Sequence, residues 1–327
     1  MTRHALSNSM TSQARKPDWL RVRLPAGAQH EAFQGLKARV RHHGLHTVCE
    51  EARCPNIFEC WGQGTATVMI LGETCTRGCR FCSVQTGKPG GVVDASEPEN
   101  TGLALAEMGL AYVVLTMVDR DDLADGGAAH VAKTVQRIKH HTPDLRVETL
   151  VGDFRGARGD IQTVVREGRP DVFAHNVEVV PRLQRTIRDA RCSWDRSIEV
   201  LRAAKEIGMA ITKSSLMVGL GENRAEVLEA MQRLREADVD VLTIGQYLRP
   251  TKRHAPVERY VEPAEFADYE RAGLDMGFVF VASGPLVRSS YRAAEAFMSE
   301  VPLGDGPARP ASVMDRYGKK RKLSVLT

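Results

Sequence analysis

Thr67-Val68-Met69-Ile70-Leu71 runs directly into Gly72-Glu73-Thr74-Cys75-Thr76-Arg77-Gly78-Cys79-Arg80-Phe81-Cys82. The first five residues are apolar or β-branched, the composition of a buried strand. The next eleven form a loop in which three cysteines are separated by three and then two residues. Gly78 suits a tight return between the thiols. A buried strand that hands a chemistry-bearing loop to its own C-terminal end is the layout of parallel α/β folds.

Outward from this stretch the same alternation recurs. Ala111-Tyr112-Val113-Val114-Leu115-Thr116 reads as a second strand, and further strands begin near Arg146, Asp171, Ala210 and Val241. Amphipathic helices are expected over 128–140, 197–207, 224–235 and 263–276. Six such βα units form a curved partial (β/α)6 barrel, although periodicity does not separate this from a flatter doubly wound sheet. Phe278-Val279-Phe280-Val281 adds a late strand without an obvious place. The chain divides into an N-terminus (1–15), an extension (16–64), the barrel (65–283) and a C-terminal segment (284–327).

The 327 residues carry 45 Lys plus Arg against 41 Asp plus Glu, a net charge of +4. That excess is too small and too dispersed to indicate nucleic acid, and an acidic protein partner fits it equally well. No apolar run approaches the roughly 18 residues of a membrane span, so membrane insertion is not expected. Arg3, Arg15, Lys16, Arg21 and Arg23 face only Asp18 in the first 23 residues. This composition suits either an organellar targeting segment or the basic start of a bacterial protein. The second reading is preferred, giving a cytoplasmic protein with the mitochondrial matrix as the lesser alternative. The run Lys319-Lys320-Arg321-Lys322 reads as a solvated tail.

Six of the seven cysteines fall between positions 49 and 82, as Cys49, Cys54, Cys60 and Cys75, Cys79, Cys82. Two triplets of soft ligands suggest two metal centres. Structural zinc wants four protein ligands, and Cys192 with His42, His43 or His46 would have to complete each site. Iron–sulfur clusters are therefore favoured over zinc and over inert buried thiols. Three thiolates leave one iron of a four-iron cluster open to a non-protein ligand such as an amino acid's amine and carboxylate.

The second triplet resembles the signature of radical S-adenosylmethionine enzymes. Adding Cys49, Cys54, Cys60 and Arg288-Ser289-Ser290-Tyr291, the chain from about Lys16 to Ala294 resembles the lipoyl synthases. Val118-Asp119-Arg120-Asp121-Asp122-Leu123, Asp125-Gly126-Gly127, His175-Asn176-Val177-Glu178, Gly219-Leu220-Gly221-Glu222 and Gln246-Tyr247-Leu248-Arg249-Pro250-Thr251 extend the resemblance in order. Ala174, Met117 and Ser215 depart from the family's usual residues.

The resemblance implies two 4Fe–4S clusters, and S-adenosyl-L-methionine consumed as co-substrate. Cys75, Cys79 and Cys82 would hold the S-adenosylmethionine-binding cluster. Cys49, Cys54 and Cys60 would hold an auxiliary cluster, with Ser289 as a labile fourth ligand and Ser290 as its competitor. Phe81, Gly126, Gly127, Asn176, Glu178, Gly219 and Gly221 would line the cofactor; each also has an ordinary packing, turn or hydrogen-bonding reading.

The implied reaction inserts two sulfur atoms from the auxiliary cluster into a protein-bound octanoyl-lysine, at its sixth and eighth carbons, giving a lipoyl group. Those carbons lack activation by a carbonyl, so side-chain bases are poorly suited to them and radical chemistry is required. Implied partners are octanoylated lipoyl domains of 2-oxoacid dehydrogenases or the glycine-cleavage H protein. A low-potential donor such as ferredoxin or flavodoxin, and an iron–sulfur carrier for cluster repair, complete the set. The competing readings are radical thiolation of a tRNA or ribosomal protein, and a zinc-supported nucleic-acid-binding protein.

Overall fold

The computed structural model describes residues 15–21, 33–35, 37–40, 46–47, 50, 54, 56–62 and 65–290. Cys49, Tyr291 and both terminal segments, the basic run at 319–322 included, lie outside the described residues.

Ten strands are present among these residues: β1 (His46–Thr47), β2 (Thr65–Ile70), β3 (Thr74–Cys75), β4 (Gln85–Thr86), β5 (Tyr112–Met117), β6 (Arg146–Leu150), β7 (Val172–Ala174), β8 (Thr212–Val218), β9 (Val241–Gln246) and β10 (Phe280–Gly284). Eight of them form one sheet in the linear order β1-β2-β5-β6-β7-β8-β9-β10, and β3 pairs with β4 separately. β1 is antiparallel to β2, and every other pair in the large sheet is parallel.

The helices follow the strands in turn: α1 (Ile57–Gly62) precedes β2, then come α2 (Glu97–Met108), α3 (Ala128–His141), α4 (Arg158–Gln162, continued by a π-turn to Gly168), α5 (Gln184–Ile187), α6 (Trp194–Ile207), α7 (Arg224–Glu236) and α8 (Pro263–Asp275). Six βα units are thus completed, with β10 added at the far edge as the partner of β9. The curved, open (β/α)6 arrangement is the one expected, and the late strand finds its place there. No helix of the described residues is long and apolar enough to cross a membrane.

Register decides what the barrel encloses. Met69, Thr116, Leu150, Ala174, Lys213, Val241 and Phe280 are Cα partners in one continuous row across seven strands. Their strand neighbours Val113, Leu115 and Val147 pack outward against Val131, Val135 and Ile138 of α3. Because strand side chains alternate faces, the row itself points inward. Tyr112, Val114, Val172, Ile211 and Val241 fill the interior with Leu150 and Phe280. Among them lies a buried ion pair: Lys213 Nζ donates to Glu148 at 2.8 and 3.0 Å, and the Tyr112 hydroxyl donates to the same carboxylate at 2.8 Å.

Four predicted helices occur within a few residues of their expected bounds. The helix α2 is not evident from periodicity, and its packing explains why. Its buried face carries Pro98, Thr101, Gly102 and Ala104 beside Leu105 and Met108. A Cβ on Gly102 would crowd the Arg137 backbone of α3 at 3.0 Å, so close approach of two helices replaces an apolar stripe.

Candidate metal and cofactor site

The loop carrying Cys75, Cys79 and Cys82 leaves the C-terminal end of β2 and is clamped by three other strand-end loops. From the loop after β5, the Asp119 carbonyl accepts from Thr76 N–H (2.9 Å), and Asp121 accepts from the Thr76 hydroxyl (2.9 Å). From the α5 region, Asp189 accepts from Gly78 N–H (2.8 Å), and the Ile187 carbonyl accepts from Arg80 N–H (2.7 Å). From the loop after β9, Ala255 N–H donates to the Arg80 carbonyl and His254 Nε2 to the Cys82 carbonyl, both at 2.9 Å. Gly78 is not in a left-handed conformation, and a Cβ there would make only ordinary contacts. The loop uses the N–H at this position.

Arg77 is the residue that composition and spacing do not reveal. Its side chain is buried and donates to Asp121 (2.8 Å) and Asp153 (2.7 Å), with Asp119 at 3.5 Å. Burial opposes its charge, but hydrogen bonds to Asp121 and Asp153 overcome that and raise its pKa. Burial pushes Asp119 up to about 6 despite Arg77, with Asp153 and Asp121 adding to the rise. Asp153 is pulled down to about 2, because Arg77 outweighs its desolvation. The run Asp119-Arg120-Asp121-Asp122 directly after a strand was the available signal: carboxylates at a strand end need a buried cation.

The thiols are suited to ligating iron. Arg77 N–H points at Cys75 Sγ (3.4 Å) and Asp189 N–H at Cys79 Sγ (3.3 Å), donors that stabilise charged sulfur. Burial, aided by Asp119, raises the Cys75 thiol to about 11, so its thiolate would form on binding a cation. No three His, Cys, Asp or Glu side chains among the described residues converge as ligands of one metal ion.

Cys192 lies two residues before α6 and is buried. Cys79 and Cys192 hydrogen-bond to each other, and Arg77, whose Nη1 lies 3.6 Å from Cys192 Sγ, and Arg188 favour negative charge on the pair.

The second cysteine group is described in part. Cys60 in α1 packs on the same apolar cluster as Cys75. Burial raises the Cys54 thiol, while the Asn56 N–H and the Arg288 charge lower it. The C-terminal segment thus reaches this group: Asn56 Nδ2 donates to the Leu286 carbonyl (2.5 Å), and Arg288 donates to the carbonyls of Val287 (2.7 Å) and Gln246 (3.3 Å). Ser289 and Ser290 come directly after, half-buried in one turn. Cys49 lies outside the described residues.

Of the cofactor candidates, Phe81 is half-buried against the apolar cluster that includes Leu216 and Tyr247. Gly126 and Gly127 both take positive φ at the start of α3, where Asp125 accepts from the N–H groups of Gly127 and Ala129 (2.9 Å each). A side chain at Gly127 would overlap Leu71. With those amides engaged, the turn's carbonyl oxygens are what it can offer an ammonium group. Asn176 and Glu178 meet side by side beyond β7, Nδ2 to Oε1 at 3.0 Å. Glu178 adopts φ 68°, and burial raises its pKa against Arg188 and Asn176. Gly219 has φ 96° and is closed over by Gln246 and the Arg259 carbonyl, while Glu222 accepts from its N–H at 2.6 Å. Its room is taken by protein. Gly221, at φ 105°, has its carbonyl bonded by Arg182 at 2.7 Å.

The open βα barrel with a cysteine loop after its first parallel strand defines a radical S-adenosylmethionine protein, and residues 69–234 match the model of that superfamily. The fold is similar to that of methylornithine synthase (TM-score 0.52, 15% identity, 76% of this chain and 77% of that one). It also resembles the FeFe-hydrogenase maturase of Carboxydothermus hydrogenoformans (TM-score 0.52, 11% identity, 77% and 69%). Residues 2–54 match the N-terminal domain of lipoyl synthase. The chain is 57% identical to lipoyl synthase of Sorangium cellulosum, over 91% of this chain and 83% of the relative. To the mitochondrial lipoyl synthase of Bos taurus it is 53% identical, over 90% and 80%. The chain belongs to the lipoyl synthase family.

The cytoplasmic expectation is corrected by these relatives. Most of those compared, from fungi and mammals alike, are mitochondrial, so the mitochondrion is the majority case rather than the minority one. A basic, acid-poor N-terminus suits both locations, so its residues alone do not separate them.

Proposed function

We propose that the two cysteine groups divide one reaction between them: Cys75, Cys79 and Cys82 start a radical, and Cys49, Cys54 and Cys60 with Ser289 hold the sulfur that is inserted. The activity is that of a lipoyl synthase, a sulfurtransferase acting on protein-bound octanoyl-lysine. When bound, two 4Fe–4S clusters and S-adenosylmethionine supply the electron, the hydrogen-abstracting radical and the sulfur. The chain's residues position and insulate. Arg77 anchors the first cysteine loop, Asn176 and Glu178 offer hydrogen bonds to ribose hydroxyls, and Leu150 and Met217 make the inward wall apolar toward an acyl chain.

One observation carries the reading. The C-terminal segment crosses the end of β9, where Arg288 bonds the Gln246 carbonyl, and its Leu286 carbonyl accepts from Asn56, two residues after Cys54. Octanoylated lipoyl domains or the glycine-cleavage H protein would present the substrate, and an iron–sulfur carrier would rebuild the spent cluster. The test is anaerobic reconstitution with S-adenosylmethionine, reductant and an octanoylated lipoyl domain, with mass analysis for two added sulfurs. A chain lacking Cys49, Cys54 and Cys60 should cleave S-adenosylmethionine without inserting sulfur. Normal insertion by that variant would refute the division of labour.

A further inference from the structure

Arg80 stands between Cys79 and Cys82 and ties two loops to the cysteine segment. Besides the backbone bonds to Ile187 and Ala255, its Nη1 donates to the Thr186 carbonyl at 3.0 Å. Each loop brings exposed cations: Arg185 in α5, and Lys252 and Arg253 after β9. Arg249 braces the second loop, donating from Nε to the His254 carbonyl (2.9 Å) and from Nη2 to the Lys252 carbonyl. His254 fixes the tip. Its Nε2 must carry the proton given to the Cys82 carbonyl, so its Nδ1 accepts from the Thr251 hydroxyl at 2.9 Å.

These cations differ from others nearby. Arg182, Arg191 and Arg259 are neutralised by Glu226, Asp189 and Glu265. Among the described residues no carboxylate forms an ion pair with Arg80, Arg185, Arg249, Lys252 or Arg253. A rigid, uncompensated basic face repels itself and attracts an acidic surface.

We infer that this face, centred on Arg80, is the docking surface for a small acidic one-electron carrier protein that reduces the group held by the cysteine triplet. The inference rests on the radical reading of that triplet. One electron leaves the carrier's flavin or iron–sulfur centre, which is oxidised by one unit, and the group at the triplet is reduced by one. Tunnelling rates fall exponentially with distance, so the donor must sit over the cysteine loop, and Arg80 is adjacent in the chain to Cys79. An acyl-lysine carrier has a different requirement: it must deliver its chain to the inward wall near Leu150 and Met217.

The experiment titrates the loaded enzyme with an acidic flavodoxin by calorimetry at low and moderate ionic strength. Sulfur insertion is then compared with flavodoxin and with dithionite as reductant. Charge reversal in the triple variant R185E/K252E/R253E should weaken flavodoxin binding by about tenfold or more and flatten its salt dependence. Dithionite-driven turnover and the KM for octanoylated carrier should stay at wild-type values. Unchanged flavodoxin affinity overturns the proposal. So does a raised KM for the octanoylated carrier with flavodoxin binding intact, which would make the carrier the occupant. Failure of the wild type to insert sulfur even with dithionite would refute the functional reading itself and is distinguishable from both.

Discussion

The Asn56 side-chain amide donates to the Leu286 carbonyl at 2.5 Å across 230 residues of chain. This bond joins the extension before the barrel to the segment after it, and both carry candidate ligands of one cluster. Gly245 makes the crossing feasible, because any Cβ there would overlap the Val287 carbonyl. Gly245→Ala should displace residues 284–290, at a cost of about 1–3 kcal/mol. Asn56→Ala should loosen the same segment by about 1 kcal/mol. Hydrogen exchange over 284–290 should accelerate in both, with sulfur insertion reduced and S-adenosylmethionine cleavage kept. Unaltered exchange in Gly245→Ala would show that the crossing is not constrained.

Arg77 holds three carboxylates that would otherwise face one another. Removing a buried ion-pair partner costs about 3–5 kcal/mol, so Arg77→Met should lower the midpoint of unfolding markedly. Arg77→Lys keeps the charge but cannot reach Asp121 and Asp153 together. It should retain a folded barrel yet bind less iron at the triplet, seen as lost visible absorbance on reconstitution. Full iron content in the Lys variant would contradict an anchoring role.

The buried Lys213–Glu148 pair inside the barrel makes a double-mutant prediction. Lys213→Met leaves Glu148 uncompensated and should destabilise by about 3–5 kcal/mol. Adding Glu148→Gln should restore much of that loss, because the remaining amide can accept from Tyr112. Additive losses in a urea-unfolding cycle would mean that the two side chains act independently.

His175 is buried between the Val151 carbonyl and Ser197, and burial together with Arg188 lowers its pKa to about 4. The ordinary value is 6.5. The unfolded chain therefore binds the extra proton first. His175 contributes stability that is full above about 6.5 and declines as pH falls toward 4, by up to about 3 kcal/mol. His175→Gln should flatten the stability profile in that window. A profile as steep as the wild type's would assign the slope to other groups.

Much of the barrel was legible in residue order. The strand runs starting near Thr67, Tyr112 and Val241 are apolar because both faces of those strands are covered, and α3, α6, α7 and α8 carry helical periodicity. Less evident were α2, whose close packing relies on Gly102, and the short α5, which lacks the length to display a period. Cysteine spacing was enough to point to iron–sulfur chemistry. The roles of Gly219 and Gly78 were not legible, since one glycine letter covers a turn, a close approach and a needed N–H alike.

The residues by themselves determined the alternation of strand and helix, the soft-ligand chemistry of the two triplets, and the family they resemble. All of these depend on side-chain type and local spacing. Tertiary structure decided that Arg77 would be buried among Asp119, Asp121 and Asp153, that Cys192 would lie against Cys79, and that Leu286 would meet Asn56, two residues from Cys54. Those pairings join residues dozens to hundreds of positions apart. They arise because parallel strands collect their C-terminal loops at one end of the sheet, a convergence that no window of sequence contains.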